Sequence, residues 1–192
     1  MAPLASGCGT PATVLPTDLP TPALTASPAP TPAVTFVAIS ADGIPATVTR
    51  VVDGDTIHAT VAGKDEKIRI IGLDSPETNK PRTPIECFAL ESTAAARALL
   101  PVGTPIRLQP DPSQAARDRF DRLLAHVVLP DGRLFAEIMI SNGDAIHYVY
   151  DGVPSIYADR LAAAEVHARE AQAGIWSTST CGGNDHAPSR AP

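Results

Sequence analysis

The sequence predicts an α+β fold, namely a five-stranded Greek-key β-barrel of the OB type that carries three α-helices. Five short runs rich in β-branched residues are separated by turns that contain Gly, Asp or Pro. One helical segment interrupts these runs and two more follow them, so helices do not alternate with strands as in a doubly wound sheet. Apolar residues make up 44% of the 192 residues, enough to fill the core of one such domain.

The first three predicted strands form a meander. They cover residues 46–52, 56–61 and 67–73. Asp53-Gly54 provides the first turn, and the polar residues 63–66 provide the second. The strands that these turns connect are therefore neighbours in the predicted barrel.

Two further strands and three helices complete the predicted domain. The strands cover residues 105–109 and 123–129, and the helices cover residues 84–100, 135–141 and 155–173. Pro101 ends the first helix, while Gly143 and Gly174 follow the other two as C-terminal caps. The apolar residues that recur near one face of the first helix are Ile85, Phe88, Ala95 and Leu99.

Composition divides the chain into three segments. Residues 1–43 are rich in Pro, Thr and Ala and predict a disordered spacer, residues 44–176 carry the predicted domain, and residues 177–192 form a flexible tail. Residues 4–8 resemble the cleavage box of bacterial lipoproteins, in which Cys8 would carry the lipid. Only seven residues precede Cys8, so either the true start lies upstream or Cys8 is incidental.

The chain is acidic, with a formal net charge of −6. Residues 44–176 contain 14 basic and 18 acidic residues, so the excess also falls within the predicted domain. This balance argues against tight, non-specific binding of a polyanion to a broad basic face. A divalent cation held by carboxylates would offset half of the domain's charge. No apolar run reaches the length of a membrane span, and we predict no transmembrane segment.

Two acidic elements are expected to meet at one end of the meander. Asp55 starts the second strand after Asp53-Gly54, and Asp74 follows the third strand at the head of the sequence Asp-Ser-Pro-Glu. Two adjacent carboxylates repel unless a cation lies between them, and hard oxygen ligands select Ca²⁺ or Mg²⁺. Ordinary turn chemistry explains Asp74 to Glu77 equally well at this stage.

Three motifs, in order along the chain, give it a resemblance to a known family. Residues 51–56 read VVDGDT, residues 68–77 read IRIIGLDSPE, and residues 118–125 read DRFDRLLA. They resemble the three catalytic segments of the staphylococcal nuclease family. The sequence AQAGIW at residues 171–176 resembles the family's closing helix and its Trp. Three motifs in this order are far more specific than any one of them.

The resemblance implies a calcium-dependent nuclease that cleaves DNA and RNA and leaves 3′-phosphate ends. The residues implied in Ca²⁺ binding are Asp55, Asp74 and the carbonyl of Ser75, with Asp53 and Thr56 beside them. Glu77 matches the carboxylate that positions or deprotonates the attacking water, and Arg69 and Arg122 match the pair that grips the scissile phosphate. These roles are chemically coherent, because planar guanidinium groups donate pairs of bonds to a phosphoryl group that gains charge.

The third motif departs from the family pattern beside Arg122. Arg119 and Phe120 replace a Lys-Tyr pair associated with terminal phosphate binding, and Asp121 replaces a Gly. Asp121 could compete for the guanidinium of Arg122, and Phe120 keeps a stacking face without a hydroxyl donor, so we expect altered affinity before lost chemistry. Two further aromatic residues that could stack on a base, with core packing as the alternative, are Tyr148 and Tyr150.

Three cysteines fit one disulfide and one separate role. Cys87, near the first helix, and Cys181, after the closing helix, can pair if the tail folds back over the barrel, and two free thiols are the alternative. A disulfide suits an oxidising compartment, so we expect a secreted protein or a bacterial surface lipoprotein anchored through Cys8. The histidines show no metal-ligand spacing and no Cys-x-x-Cys occurs, which argues against zinc.

The predicted function is therefore that of a monomeric enzyme acting on single-stranded DNA and RNA. The rival interpretation is a non-catalytic OB-fold module that binds nucleic acid or protein, as nuclease-like repeats of the Tudor nuclease type do. Such modules typically lack part of the catalytic set. The five positions that are all filled here are Asp55, Arg69, Asp74, Glu77 and Arg122.

Overall fold

The computed structural model describes Phe36 and residues 42–78, 84–184 and 186–188. Most of the predicted spacer, including Cys8, lies outside these residues. The strands within them are β1 (Ile44–Val51), β2 (Thr56–Val61), β3 (Lys64–Ile70), β4 (Leu73–Asp74), β5 (Pro105–Gln109), β6 (Leu123–Val128) and β7 (Ile146–His147). The helices are α1 (Ala89–Leu99), α2 (Phe135–Ser141) and α3 (Ala158–Glu170), with short 3-10 helices at Tyr150–Gly152 and Gly174–Trp176.

Five of the strands close into a barrel in the order β1-β2-β3-β6-β5, and β5 pairs back onto β1. The first three strands form the predicted antiparallel meander. The contact between β3 and β6 is parallel, and it closes the barrel after the chain has crossed over through α1 and β5. The predicted α+β fold, a closed five-stranded barrel with three helices, is confirmed.

Alternating apolar side chains fill the barrel. Ile57 and Ala59 on β2 and Ile68 and Ile70 on β3 are buried, while the residues between them are more exposed. This period of two is what places one face of each strand inside. Outside the barrel, all seven residues of α2 are buried, and this helix packs between β6 and α3.

The boundaries of three elements differ from the prediction by three residues or more. The last helix covers Ala158–Glu170 rather than residues 155–173. The third strand begins at Lys64 and ends at Ile70, and Leu73–Asp74 forms a separate short strand that pairs with β7. The first helix begins at Ala89 rather than at residue 84, because Phe88 adopts a left-handed conformation with φ of 67°. Ile85 therefore lies outside the helix and is largely exposed.

A disulfide joins the start of α1 to the chain beyond the last 3-10 helix. Cys87 and Cys181 are bonded, with Cα atoms 5.9 Å apart and a sequence separation of 94. The tail thus folds back against the barrel domain at this point. Among the helices described, none is both long enough and apolar enough to cross a lipid bilayer.

Candidate active site

The site lies at one end of the barrel, where β2 begins and β3 ends. Asp53 folds the turn before β2, since its Oδ1 accepts hydrogen bonds from the N–H groups of Asp55 (3.1 Å) and Thr56 (2.8 Å). Gly54 packs so closely that a Cβ atom there would lie 2.4 Å from Oγ of Ser92 on α1. Glycine at this position therefore lets the turn pack closely against α1, which places Asp55 at this end of the barrel.

Arg69 bridges the two carboxylates that were predicted to meet. Its Nη1 forms an ion pair with Asp55, and its Nη2 donates to Oδ1 of Asp74 at 2.6 Å. Both oxygens of Asp55 also accept hydrogen bonds, because Thr56 Oγ1 donates to Oδ1 (2.8 Å) and the Ser75 N–H donates to Oδ2 (3.2 Å), the oxygen that also pairs with Arg69. In the structure, the cation between Asp55 and Asp74 is thus the Arg69 guanidinium.

The cluster carries more negative than positive charge. Burial, and next the carboxylate of Asp55, raise the pKa of Asp53 to about 7, and the charge of Glu77 adds to the rise. Burial lowers the pKa of Arg69, but the carboxylates of Asp55 and Asp74 outweigh it and leave that pKa raised. One guanidinium does not neutralise several carboxylates, and a further cation would supply the missing positive charge.

Arg122 reaches the same end of the barrel from the turn before β6. Asp118 holds it there: one carboxylate oxygen accepts the Arg122 N–H at 2.9 Å, and the other accepts the Arg122 Nε–H at 2.7 Å. The Nη1 atom of Arg122 lies 3.4 Å from Oγ1 of Thr56, the residue next to Asp55. Arg69 therefore approaches the first hairpin from β3, and Arg122 approaches it from the turn before β6.

Asp121 does not compete for Arg122 in the structure. Its backbone adopts a left-handed conformation with φ of 60°, and its side chain is 89% exposed. The nearest cation is Arg117, whose Nε lies 3.6 Å from the Asp121 carboxylate and whose Nη2 donates to Glu66 at 2.9 Å. Asp118 is the carboxylate partner of Arg122 instead.

A cleft of about 410 Å³ opens beside these arginines. The residues predicted for substrate contact that line it are Arg69, Arg119, Phe120, Arg122, Tyr148 and Tyr150. Phe120, Tyr148 and Tyr150 are 64%, 41% and 62% exposed, so neither tyrosine is a core residue. The guanidinium carbon of Arg119 lies 4.7 Å from the Phe120 ring centroid, which sets positive charge beside an aromatic face.

Glu77 lies beyond β4, in a stretch without regular secondary structure. Its backbone N–H donates to Oε2 of Glu86 at 2.8 Å, and its carbonyl accepts the N–H of Glu86 at 3.1 Å. Glu77 does not line the cleft, and its charge contributes least among the causes that raise the pKa of Asp53. The structure thus brings Asp55, Arg69, Asp74, Ser75 and Arg122 together at one end of the barrel.

Sequence reasoning missed the residues that support the site. Asp118 stood inside the third motif, and its spacing of four residues from Arg122 was the signal available. Asp111 had no such signal. Its buried carboxylate accepts hydrogen bonds from the N–H of Ile156 (2.8 Å) and of Ser113 (2.8 Å), and so joins two segments that border the cleft.

The acidic end of the barrel fits a hard divalent cation better than a soft one. No group of three or more His, Cys, Asp or Glu side chains is placed to ligate a metal within the described ranges. An ion there would therefore rely on two carboxylates, a backbone carbonyl and water, which suits Ca²⁺ or Mg²⁺. The Ser75 hydroxyl is buried without a hydrogen bond among the described residues, so an oxygen donor at the site is also unused.

The fold and this cluster together define a class of protein. Two guanidinium groups beside buried carboxylates, at the open end of an OB barrel and next to exposed aromatic rings, suit an enzyme that acts on phosphodiesters. That class is the nucleases.

Comparison with known proteins identifies the family. Residues 67–178 match the family model described as staphylococcal nuclease homologue. The chain is 35% identical over 131 residues to a thermonuclease of Staphylococcus hyicus, an alignment that covers 68% of this chain and 74% of that protein. This chain belongs to the staphylococcal nuclease family, as its motifs indicated.

Two relatives from Bacillus subtilis are similar over the same region. The chain is 32% identical over 134 residues to the endonuclease YncB, covering 69% of this chain and 62% of that protein. It is 33% identical over 132 residues to the prophage-derived endonuclease YokF, covering 68% of this chain and 43% of the relative. The chain thus spans less than two thirds of the length of both Bacillus proteins.

Proposed function

We propose that this protein is a calcium-dependent nuclease that hydrolyses single-stranded DNA and RNA and leaves 3′-phosphate ends. Membership of the nuclease family supports the reaction class. The observation that carries the proposal is the convergence of Arg69 and Arg122 on the Asp55 hairpin, beside an open cleft. A module that only binds has no need to place two guanidinium groups beside buried carboxylates.

The residues that would hold Ca²⁺ are Asp55, Asp74 and the carbonyl of Ser75, with Asp53 and Thr56 beside them. When bound, the ion would supply Lewis-acid polarisation of a phosphoryl oxygen. Thr56 and the Ser75 N–H already fix the orientation of the Asp55 carboxylate. Asp55 is therefore preorganised as a ligand by its own neighbours.

Arg69 and Arg122 would bind the scissile phosphate. Each guanidinium has five N–H donors, and the carboxylates of Asp55 and Asp74 take only part of those of Arg69. Asp118 occupies the Nε–H of Arg122, and the Nη1 atom of Arg122 is directed towards Thr56. Donors fixed in this way stabilise the charge that the phosphoryl oxygens gain in the transition state.

Glu77 would orient the attacking water and accept its proton. Attack of the water oxygen on phosphorus breaks the bond between phosphorus and the 5′ oxygen, which takes up a proton from solvent and leaves as a hydroxyl. Glu77 then releases the proton of the attacking water to solvent. The 3′ side keeps the phosphate. Arg69 and Arg122 hold the phosphate while this exchange takes place.

The cleft supports a single strand as substrate. Phe120, Tyr148 and Tyr150 line it with exposed rings, and unpaired bases can stack on such faces regardless of their identity. Arg119 beside Phe120 adds a contact for a neighbouring phosphate. The sugar makes no required contact in this arrangement, which is why we include both DNA and RNA.

The disulfide supports the further proposal that the protein acts in an oxidising compartment, secreted or at a bacterial cell surface. Acylation of Cys8 would provide the anchor in the second case. We also propose that the enzyme acts as a monomer, because every predicted catalytic residue comes from one chain.

The experiment is hydrolysis of a single-stranded DNA and of an RNA oligonucleotide, with Ca²⁺ and with a chelator, followed by analysis of the product ends. We expect cleavage of both only with Ca²⁺, and 3′-phosphate ends. Cleavage that persists in the chelator would contradict the metal dependence. Binding of either oligonucleotide without cleavage would favour the non-catalytic module.

A further inference from the structure

A buried carboxylate outside the cleft holds the backbone of Glu77. Glu86 is 4% exposed and lies nine residues after Glu77, immediately before Cys87. Its Oε2 accepts the Glu77 N–H at 2.8 Å, and its own N–H donates to the Glu77 carbonyl at 3.1 Å. These two bonds hold both the N–H and the carbonyl of Glu77. Glu77 itself lies outside any helix or strand that could position it.

The C-terminal segment, here residues 186–188, covers Glu86 on its other side. The N–H of Cys87 donates to the carbonyl of Ala187 at 2.7 Å, and Glu86 forms an isolated antiparallel bridge with Pro188. The Nδ1 atom of His186 lies 3.4 Å from the second carboxylate oxygen of Glu86. These contacts bury Glu86 and leave Oε2 directed towards Glu77.

The disulfide links the chain just before this segment covalently to the domain. Cys181 lies a few residues before His186 and is bonded to Cys87, the immediate neighbour of Glu86. A covalent link one residue away restricts how far the segment can move from Glu86. A chain of contacts therefore runs from the disulfide through Glu86 to the backbone of Glu77.

We propose that Glu86 is a positioning residue for Glu77, and that the disulfide-anchored C-terminal segment keeps Glu86 in that role. The proposal rests on the proposed function, in which Glu77 serves the attacking water. A misplacement of about 1 Å in such a group can lower a rate about a hundredfold, so a buried backbone clamp on Glu77 has a direct catalytic consequence. Activity should then respond to reduction of the disulfide.

The first test compares Glu86→Ala with Glu86→Gln. The amide oxygen of Gln still accepts the Glu77 N–H, whereas Ala removes the acceptor. We expect kcat of Glu86→Ala to fall about tenfold or more, with KM and Ca²⁺ affinity within about twofold, because a charged acceptor of a hydrogen bond is lost. Glu86→Gln should recover most of the lost kcat.

The second test asks whether the effect passes through Glu77. Adding Glu86→Ala to Glu77→Gln should lower the residual rate by less than about twofold, since the carboxylate that Glu86 positions is already absent. A purely structural role would lower the double variant as much as it lowers the unaltered protein. Circular dichroism and a melting curve on each variant establish that it is folded.

The third test is reduction with dithiothreitol. The Sγ–Sγ bond accepts two electrons and two protons to give two thiols, while the reductant becomes a cyclic disulfide. We expect kcat to fall several-fold with KM unchanged. The matched control is Cys87→Ser combined with Cys181→Ser, which should start at the lower kcat and should not respond to the reductant.

The outcomes separate the two proposals. If the unaltered protein cleaves no substrate, the proposed function fails and the positioning role fails with it. If the unaltered protein cleaves but Glu86→Ala keeps full kcat, or loses as much in the Glu77→Gln background, only the positioning role is overturned. If reduction leaves kcat unchanged, the disulfide has no part in positioning Glu77, and that part of the proposal is overturned.

Discussion

At the residue scale, the site depends on carboxylates that hold arginines. Asp118 accepts three bonds from the turn that carries Arg122, one of them from the guanidinium. Burial alone would raise the pKa of Asp118, but the N–H and guanidinium of Arg122 lower it, so the carboxylate stays charged. Asp118 therefore sets the orientation of Arg122 towards Thr56.

We expect Asp118→Asn to lower kcat/KM for single-stranded DNA about tenfold or more, because a charge-assisted hydrogen bond of roughly 1.5–3 kcal/mol is weakened. Steady-state kinetics with saturating Ca²⁺ measure the effect. The matched control is Asp131→Asn, which weakens a similar pair with Arg133 that does not line the cleft, and which should leave kcat/KM unchanged. Equal losses in both variants would refute a role for Asp118.

Asp144 gives a pH dependence of stability. Burial raises the pKa of its carboxyl to about 6. Between pH 4 and pH 6 the unfolded chain ionises while the folded chain keeps its proton, so this group lowers the free energy of unfolding as the pH rises, and the loss is complete above pH 6. The full shift would amount to ~3 kcal/mol, which partial exposure reduces to ~1–2 kcal/mol.

Asp144→Asn removes this titration. Its free energy of unfolding relative to the unaltered protein should rise by ~1–2 kcal/mol between pH 4 and pH 7, as measured by urea unfolding at each pH. The value at pH 4 is the internal reference, because the folded state of both proteins is then neutral at this position. A difference between the proteins that does not vary with pH would show that Asp144 is not the group responsible.

The identities of the acidic and basic site residues were predictable, but their partners were not. The first two motifs restrict Asp55 and Asp74 to one end of a meander, whereas the role of Arg122 was implied by the resemblance of the third motif to the family. The bridging position of Arg69 depends on side-chain geometry across β2 and β3, which sequence spacing does not contain. The same holds for Glu86, which no motif includes.

At the element scale, the boundaries of helices and strands were predicted where the sequence pattern is regular and were missed where it is irregular. The second strand and α2 lie where expected, since strict alternation and an Asn-Gly ending are strong local signals. The helix α1 was misplaced because its buried face consists of small and polar residues. These are Ala89, Ser92, Thr93 and Ala96, whereas Leu90 is exposed. A pattern of apolar residues cannot detect such a face.

Asp111 links two segments that border the cleft. Its carboxylate binds the backbone of Ser113 and Ile156 and faces the buried ring of His126 at 2.9 Å. Burial alone would raise the pKa of Asp111, but the bonds from Ser113 and His126 bring it down to about 2. The carboxylate therefore remains charged and keeps these bonds at any pH at which the enzyme would act.

We expect Asp111→Ala to raise KM about fivefold or more while changing kcat little, because the loops that shape the cleft lose a shared anchor. Kinetics with single-stranded DNA give the two constants separately, and Asp111→Asn, which keeps one acceptor oxygen, should lie between. A loss confined to kcat would instead place Asp111 in the catalytic step and contradict this assignment.

At the scale of the whole molecule, the charge distribution sets the mode of binding. The chain has a net charge of −6, and the cations at the cleft are a few arginines rather than a basic face. Phosphate contacts should then be few and local. Stacking on the exposed rings of Phe120, Tyr148 and Tyr150 would provide much of the remaining affinity.

Few contacts imply a weak salt dependence. For Glu77→Gln, which should bind without cutting, we expect the logarithm of the affinity for a single strand to fall with the logarithm of salt concentration with a slope of about −2, the value for roughly three phosphate contacts. Fluorescence anisotropy at several salt concentrations and constant Ca²⁺ measures it. A slope steeper than about −4 would indicate a basic surface beyond the cleft.

We propose that Arg122 and Glu77 both take part directly in phosphodiester hydrolysis. The most direct measurement is kcat on single-stranded DNA with saturating Ca²⁺ for Arg122→Ala, Glu77→Gln and the control Arg133→Ala, which alters an arginine that does not line the cleft. We expect kcat to fall about a hundredfold or more in the first two and to stay unchanged in the third. Full activity in both Arg122→Ala and Glu77→Gln would contradict the mechanism.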